Sequence, residues 1–214
     1  YKEWEGDEFI GVYESALKGD KLCSQQYYTP VVSLTKGTFE EYALNAGYKL
    51  VQWRHHCIMG VLFMAYYKTT NALSVCGGRD VSTNTVKTGE TFGLGMTDTK
   101  PGNVGSSNFW GLENWWGNKK ENMSSIVCNS NGIAVLTNND GSTRNISSIT
   151  SLGYISKMIF GEFIDLAPTE VSASKTTGFC GNFARCGGDG RSVTRGGDNI
   201  FSISFDETNG SEAF

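Results

Sequence analysis

The chain has 214 residues, of which 39% are hydrophobic and 19% charged, with a net charge of −4 and 27 Gly against 3 Pro. This length supports one domain with a sizeable core, and the composition is typical of a loop-rich folded protein rather than a disordered one. The acidic balance and the lack of a basic run argue against a nucleic-acid partner. The longest apolar run, residues 57–67, is shorter than the roughly 20 residues of a membrane span, so we expect no membrane insertion.

Two helices are predicted in the first third of the chain. Residues 8–17 permit either a helix or a strand, and the pattern leaves that choice open. Thr38 and Glu41 form a capping box, and Gly47 supplies a C-terminal stop. The apolar stripe of this helix consists of Phe39, Tyr42, Ala43 and Ala46. A second helix is predicted over residues 51–67, and it is apolar on most sides, which predicts burial.

A long irregular region and a tryptophan cluster follow. Residues 77–107 contain seven Gly and almost no periodic signal, and a loop of that length within a compact domain is usually functional. Residues 109–118 then hold three of the five Trp of the chain, in a Gly- and Asn-rich context. Trp110, Trp115 and Trp116 are predicted to be mainly core residues that fix the loop, because burial of indoles is strongly favourable. A ligand-stacking site is the alternative.

Strands are predicted in the second half of the chain. Residues 133–146 indicate a hairpin around the turn Asn139-Asp140-Gly141. Residues 154–163 are a further strand candidate, and residues 201–205 alternate with period two, which predicts a half-buried strand. Because helices come first and strands follow, this order favours an α+β fold over a wound parallel sheet.

The six Cys allow three disulfides or a fully reduced protein. Cys57 lies in the apolar helix and is expected to be a buried small hydrophobe. Cys180 and Cys186, flanked by Gly on a tight polar segment, are predicted as the most favourable bridge. No pair has C-x-x-C spacing, and no segment follows the calcium-loop pattern, so we expect no metal and no cofactor.

The candidate catalytic groups are few. His55 and His56 are the only histidines, and as neighbours on a helix they point about 100° apart, which favours a structural role over a shared metal. The chain has no G-x-S-x-G motif, and its Gly-Gly pairs lack the Lys and Ser/Thr of a phosphate loop. A catalytic carboxylate pair stays open because the separation of two carboxylates is invisible in sequence. We therefore expect a protein that is not an enzyme.

Residues 186–199 form a polar segment rich in Gly, Asp and Arg, with Val193 as an apolar residue. Segments of this kind are either plain connections or adaptable recognition surfaces. The ligand-binding residues predicted in it are Asp189, Arg191, Ser192, Thr194, Arg195 and Asp198. We expect these side chains to point into solvent, because the segment has almost nothing to bury.

Several segments together carry a family resemblance. They are Ile10-Gly11-Val12-Tyr13-Glu14, Thr29-Pro30, Met64-Ala65-Tyr66-Tyr67, Cys76-Gly77-Gly78 and the tryptophan cluster Trp110-Gly111-Leu112-Glu113-Asn114-Trp115-Trp116-Gly117-Asn118. In this order the chain resembles tail-associated proteins of gut bacteriophages and their prophages. Those proteins are similar to the C-type-lectin-like variable proteins diversified by retroelements and, more remotely, to the formylglycine-generating enzyme fold. The chain departs from the pattern at Lys119-Lys120-Glu121-Asn122, where a Trp-rich continuation is expected, and after Phe214, where a final strand is expected.

The resemblance implies one C-type-lectin-like domain over residues 1–214, part of a longer chain, with two helices bracing a small antiparallel sheet. The implied function is recognition of a host-surface receptor, protein or glycan, by residues 187–198. The implied setting is a phage tail or an extracellular surface, with a second copy of the chain or other tail proteins as partners. The alternatives are a structural tail component and an enzyme of the formylglycine-generating or depolymerase type.

Overall fold

A computed structural model of the chain describes residues 9–78, 85–102, 105–131, 133–138, 141–147, 151–161, 166–184, 192–197 and 199–207. For residues 147, 182–184, 192 and 205–207 it describes the backbone alone. Three α-helices, one short 3-10 helix and thirteen strands lie in these ranges. All three α-helices precede the strands of the main sheet, so the fold is α+β.

The first helix, α1 (Lys36–Asn45), begins earlier than predicted. Thr35, not Thr38, is the N-cap: its backbone is extended and its Oγ1 accepts the backbone N–H of Thr38 at 3.2 Å. Thr38 therefore lies inside the first turn, where its N–H is one of the donors that a cap satisfies. The predicted end of the helix is confirmed, since Gly47 adopts a left-handed φ of +82° directly after the last turn.

The second helix, α2 (Trp53–Tyr67), is the buried helix that the sequence predicts. Phe63, in its C-terminal half, is fully buried, and its ring centroid lies 5.4 Å from that of Phe109, 5.7 Å from that of Trp116 and 6.3 Å from that of Phe201. The helix ends at Lys68, which is left-handed and donates its N–H to the Met64 carbonyl. A short helix, α3 (Ala72–Val75), follows. Among the described residues, none of these helices has the length and apolarity to cross a membrane.

The strands are listed here in chain order: β1 (Ala16–Lys18), β2 (Lys21–Cys23), β3 (Asn108–Phe109), β4 (Leu112–Glu113), β5 (Gly117–Cys128), β6 (Ala134–Thr137), β7 (Thr143–Ser147), β8 (Gly153–Tyr154), β9 (Lys157–Phe160), β10 (Leu166–Glu170), β11 (Asn182–Ala184), β12 (Ser192–Gly197) and β13 (Ile203–Glu207). Seven of them form one sheet in the order β7-β6-β5-β12-β13-β11-β8. Neighbours in this sheet run antiparallel except β11 and β13, which are parallel. The pairs β1–β2, β3–β4 and β9–β10 form two-stranded sheets.

The predicted strands are found, with changes in their extent and burial. The predicted hairpin is β6–β7, although Asn139 and Asp140 of its turn lie outside the described residues. The candidate over residues 154–163 is divided between β8 and β9, and the open region 8–17 contributes only β1 to the described elements. The half-buried character predicted for residues 201–205 is wrong where side chains are described, since Ile203 and Ser204 on opposite faces of β13 are both buried. Ser202 and Ser204, which were predicted to face solvent, have small side chains that neighbouring residues cover.

The predicted Cys180–Cys186 bridge is wrong. Cys180 is a free, buried thiol with a left-handed φ of +53°, and Cys186 lies outside the described residues. Cys128 is the disulfide-bonded cysteine of the described part of the chain. Cys57 is buried, as predicted, and its sulfur accepts the Leu166 N–H at 3.2 Å.

Candidate ligand-binding surface

The polar segment predicted to bind ligand enters the sheet as the inner strand β12, between β5 and β13. The exposure predicted for Thr194 and Arg195 is wrong, because their side chains are 0% and 1% exposed. Ser192 is described by its backbone alone, and Asp189, Arg191 and Asp198 lie outside the described residues. Pairing along both edges of β12 removes its backbone from solvent, and the adjacent residues Thr194 and Arg195, on opposite faces of the sheet, are both covered.

Arg195 is buried through contacts with the tryptophan cluster and with β5. Its Nη1 donates to the Trp115 carbonyl oxygen at 2.6 Å, and its Cζ lies 3.5 Å from the centroid of the Trp115 ring, a cation–π geometry. The same nitrogen is 3.7 Å from Oε2 of Glu121, the cross-strand partner of Arg195. A Cβ at Gly196 would collide with this carboxylate, so Gly196 permits the approach. These contacts make Arg195 a core residue.

A second buried carboxylate organises the backbone of the cluster. Oε2 of Glu14 accepts the side-chain amides of Asn114 at 3.0 Å and Asn118 at 2.5 Å, and all three residues are buried. Both Asn residues have left-handed φ angles, +58° and +50°, which Asn tolerates better than most residues. Glu14 therefore fixes the two sharp bends between which Trp115 and Trp116 enter the core.

Burial shifts the protonation of these groups. Desolvation raises the pKa of Glu14 to about 8, against the opposing effect of the two Asn hydrogen bonds. Desolvation also raises the pKa of Glu121, although the Arg195 charge opposes this effect. The pKa of His56 falls to about 3 through desolvation and, second, through the charge of Arg195. At neutral pH the region therefore holds a neutral imidazole and a protonated Glu14.

The two histidines have different surroundings on α2. Nδ1 of His55 accepts the backbone N–H of Gln52 at 3.0 Å, which places it at the start of the helix. His56 is fully buried, with its ring centroid 5.5 Å from that of Trp53. Both positions fit a structural role, and the absence of a catalytic role stays a prediction.

The long loop is attached to the cluster by buried carboxylate contacts. Oε1 of Glu113 accepts the backbone N–H of Gly89, and its Oε2 accepts the N–H and the hydroxyl of Thr91, all at 2.7 Å. Glu113 itself is fully buried in β4. Oε2 of Glu90 accepts the N–H of Ser106 at 3.1 Å and its hydroxyl at 2.8 Å, which joins the middle of the loop to its C-terminal end. The loop is thereby fixed without regular secondary structure beyond the 3-10 helix Phe92–Leu94 in its described residues.

An exposed apolar surface lies where this loop meets α2 and the β3–β4 hairpin. Tyr66, at the end of α2, is 59% exposed, and its ring centroid lies 5.4 Å from that of the half-buried Trp110. Met96 is 70% exposed, and its sulfur lies so close to Gly111 that a Cβ there would be 2.8 Å away. Phe92 and Leu94, both exposed, lie on the 3-10 helix that leads to Met96. We call Tyr66, Met96 and Trp110, which meet at the β3–β4 turn, the aromatic surface.

Trp110 occupies an unusual backbone position. It forms with Gly111 the two-residue turn between β3 and β4, and the two residues have φ angles of +50° and +85°. A turn with positive φ at both central residues favours Asn-Gly or Asp-Gly, and a bulky residue there is strained. The Trp110 ring is stacked on Phe109, with centroids 4.8 Å apart and planes inclined by 21°. The turn thus presents one face of a large ring at the tip of a hairpin.

Asp98 joins the parts that carry the aromatic surface. Its Oδ1 accepts the backbone N–H of Trp110 at 2.8 Å, and its Oδ2 accepts the hydroxyl of Tyr67. The Cys76 thiol donates to that tyrosine oxygen at 3.1 Å. Burial raises the pKa of the Cys76 thiol to about 11, so the sulfur is protonated at neutral pH. The hairpin tip and the end of α2 are therefore held by one carboxylate.

The sequence contained weak signals for the strand β12 and for the exposed apolar residues of the long loop. The run Val193-Thr194 is rich in β-branched residues, which favours a strand, but the surrounding glycines outweighed it. Phe92, Leu94 and Met96 alternate within the Gly-rich loop and had no predicted apolar partner.

In the described part of the chain, no group of three or more His, Cys, Asp and Glu side chains is placed to hold a metal ion. No protein-family model matches the chain, and no curated protein matches it.

Proposed function

We propose that this chain is a C-type-lectin-like domain of a phage tail, or of an extracellular surface, that binds a receptor on a host cell and acts by recognition rather than by catalysis. The segment that approaches the receptor is the long loop over residues 77–107. Asp189, Arg191, Ser192 and Asp198 stay proposed as further contact residues. Thr194 and Arg195 are not carried into the proposal, because they are buried.

The observation that carries this proposal is the way in which the loop is fixed. The carboxylate of Glu113 accepts three hydrogen bonds from Gly89 and Thr91, and these bonds attach the loop to β4. The apolar side chains Phe92, Leu94 and Met96 of the same loop are nevertheless exposed. A loop that is fixed in place and displays apolar side chains suits recognition, because little conformational entropy is lost on binding.

A catalytic function has weaker support in the same region. The thiol of Cys76 is fully buried and protonated at neutral pH, which does not suit a nucleophile. Tyr67 is also held with its hydroxyl between Cys76 and Asp98. These groups have their hydrogen-bond capacity committed to one another, which favours a scaffolding role.

The test uses the purified, fluorescently labelled chain on a panel of gut bacterial isolates, read by flow cytometry. We expect saturable staining of a subset of isolates that an excess of unlabelled chain removes. Antibodies against the chain, applied to virions from induced prophages, should label the tail in electron micrographs. Labelled tails without stained cells would favour the structural component over the receptor-binding domain. Hydrolysis of surface polysaccharide by the chain would favour the enzyme.

A further inference from the structure

We propose that Glu14 is a pH-sensitive switch for the long loop: in its protonated form it holds the loop through two asparagine amides, and in its ionised form it releases the loop. The loop is taken here as its described residues, 85–102 and 105–107. This switch goes beyond the proposed function, because it concerns how the loop is held and needs no receptor. Two features support it: the contacts that lead from the carboxyl to the loop, and the charges around the carboxyl.

Two asparagine side chains connect Glu14 to the loop. Oε2 of Glu14 accepts hydrogen bonds from Nδ2 of Asn114 at 3.0 Å and from Nδ2 of Asn118 at 2.5 Å. The other end of each amide meets the loop. Oδ1 of Asn114 accepts the backbone N–H of Ser107 at 3.1 Å, and Oδ1 of Asn118 accepts that of Val86 at 3.2 Å. Glu14 is therefore joined, through one side chain each, to two points near the two ends of the described loop.

The acceptor character of Glu14 determines which way the two amides face. An Asn amide has a donor end and an acceptor end of nearly the same shape, so hydrogen-bond partners decide its orientation. Because a carboxyl oxygen faces the donor ends, the acceptor ends face the N–H groups of the loop. Glu14, Asn114 and Asn118 are buried, and a hydrogen bond left unmade there costs more than one at the surface.

The carboxyl can carry a proton in this arrangement. Both amides bond to Oε2 and use its two lone pairs, so the proton is carried by Oε1. Desolvation raises the pKa of Glu14 to about 8, against the opposing effects of the two amides and of the Lys119 N–H. Glu14 is therefore protonated, and the loop is held, at neutral pH.

The charges that face Glu14 from the neighbouring elements do not favour its ionised form. Glu113 on β4 and Glu121 on β5 act on it as like charges. Arg195 on β12 is a nearby cation, but its Nη1 is already 3.7 Å from Glu121. His56 on α2 is neutral at neutral pH. An ionised Glu14 competes with Glu121 for one cation, and it is stabilised when the loop moves away and water reaches the carboxylate.

The direction of the pH effect follows from the two forms of the loop. In the released form Glu14 is hydrated and has its ordinary pKa of 4.5, whereas in the held form its pKa is about 8. The proton therefore favours the held form, completely below about pH 4.5 and progressively less as pH rises to about 8. Between these limits the equilibrium constant for release should increase by up to about tenfold per pH unit, for the one proton lost.

Amide hydrogen exchange tests the switch, because the N–H groups of Val86 and Ser107 exchange when the loop is released. Their protection factors are measured by NMR between about pH 6 and about pH 8, after correction for the intrinsic pH dependence of exchange. The unmodified chain is compared with Glu14→Gln, which resembles the protonated form. The matched control is Glu41→Gln, an exposed carboxylate on α1. The amides of the buried helix α2 report global unfolding in the same spectra.

We expect the protection of Val86 and Ser107 to fall with rising pH in the unmodified chain and in Glu41→Gln, and to stay below that of α2. The fall should approach about tenfold per pH unit. Glu14→Gln should show no such fall. An equally steep fall in Glu14→Gln overturns the inference. So does protection in the unmodified chain that is independent of pH, or loop amides that are protected as strongly as α2, because the loop then opens only with the whole fold.

Asn118→Gly keeps the test decisive if a thermal melt shows that Glu14→Gln does not fold. Gly accepts the left-handed φ of +50° at this position and removes the amide. The Val86 N–H should lose protection by about fivefold or more, the effect of one lost hydrogen bond, while Ser107 keeps its pH dependence through Asn114. Unchanged protection of Val86 would show that the amide does not hold the loop, and the inference would be wrong. The exchange experiment uses neither cells nor a receptor, so its outcome is separate from that of the staining experiment.

Discussion

Trp110 and Trp115 are five positions apart in the chain but have opposite environments. Trp115 is fully buried, with Arg195 over its ring and its carbonyl bonded to the same guanidinium. Trp110 lies half-buried at a hairpin tip in a strained conformation, with Tyr66 at its edge. The sequence presents both as members of one aromatic cluster. The comparison shows that a dense tryptophan cluster can build a core at one end and display a surface at the other.

Of the substitutions that compare the two tryptophans, Trp115→Ala is expected to lower the stability most. The change removes a fully buried ring and deprives Arg195 of its cation–π partner. We expect the free energy of unfolding to fall by about 3–5 kcal/mol, the usual cost of truncating a buried aromatic residue. Chemical denaturation measures it, and Trp110→Ala is the comparison, with a smaller loss expected. Equal losses for the two variants would show that Trp110 contributes to the core as much as Trp115 does.

A somewhat smaller loss is expected for Arg195→Met, because methionine retains much of the buried volume. The substitution leaves Glu121 without its buried cation, and we expect a loss near the lower limit for breaking such a pair, about 3 kcal/mol. The double variant Arg195→Met with Glu121→Gln should recover part of the loss, since no unpaired charge is then buried. A double variant that is less stable than Arg195→Met would contradict this account of the pair.

How far the sequence predicted the fold can be argued from these same residues. The apolar character of residues 51–67 predicts α2, and burial of Trp115 and Trp116 follows from the unfavourable hydration of indoles. Both are properties of local composition. The position of β12 could not be predicted in this way, because a Gly-rich polar segment is consistent with an exposed connection until its partner strands are known.

The candidate site was less predictable, because it depends on contacts between segments far apart in the chain. The burial of Arg195 requires Glu121 on the neighbouring strand and the carbonyl of Trp115. The exposed apolar residues Tyr66 and Met96, far apart in the chain, lie beside the same turn, at Trp110 and Gly111. Sequence periodicity reports which face of an element is apolar, but it does not report which loops meet. The length of the loop over residues 77–107 indicates a functional role, which stays a prediction.

The buried titratable residues near Trp115 should make the stability of the protein depend on pH, whereas the hairpin turn at Trp110 should not. The pKa of Glu14 is raised from 4.5 to about 8, so the folded state retains a proton that the unfolded state has lost. The resulting stabilisation is complete below about pH 4.5 and is lost as pH rises to about 8. Glu121 acts in the same direction. His56 acts in the opposite direction, with stability lost as pH falls from 6.5 to about 3.

Because the contribution of His56 no longer changes with pH above pH 6.5, and the thiols begin to titrate only near their ordinary pKa of 9.0, measurement between pH 6.5 and 8 reports the carboxylates. We expect stability to decline with rising pH in this range, by up to about 1.4 kcal/mol per pH unit for each proton retained in the folded state. Glu14→Gln, which resembles the protonated form, should flatten the decline, and the exposed Glu41→Gln on α1 should leave it unchanged. Identical slopes for Glu14→Gln and the unmodified chain would show that Glu14 is already ionised in the folded state.

The smallest effect on stability is expected for Trp110→Asn, and this near-neutrality sharpens the comparison. Asn relieves the left-handed strain of the turn, while loss of the ring removes its stacking on Phe109 and its contact with Tyr66. The gain and the loss are each of the order of 1 kcal/mol, so the free energy of unfolding should change by less than about 1 kcal/mol. Denaturant titration alongside Trp115→Ala gives the value. A loss as large as that of Trp115→Ala would mean that Trp110 holds the core together. A near-neutral result would show that the Trp110 ring contributes little to the stability of the fold.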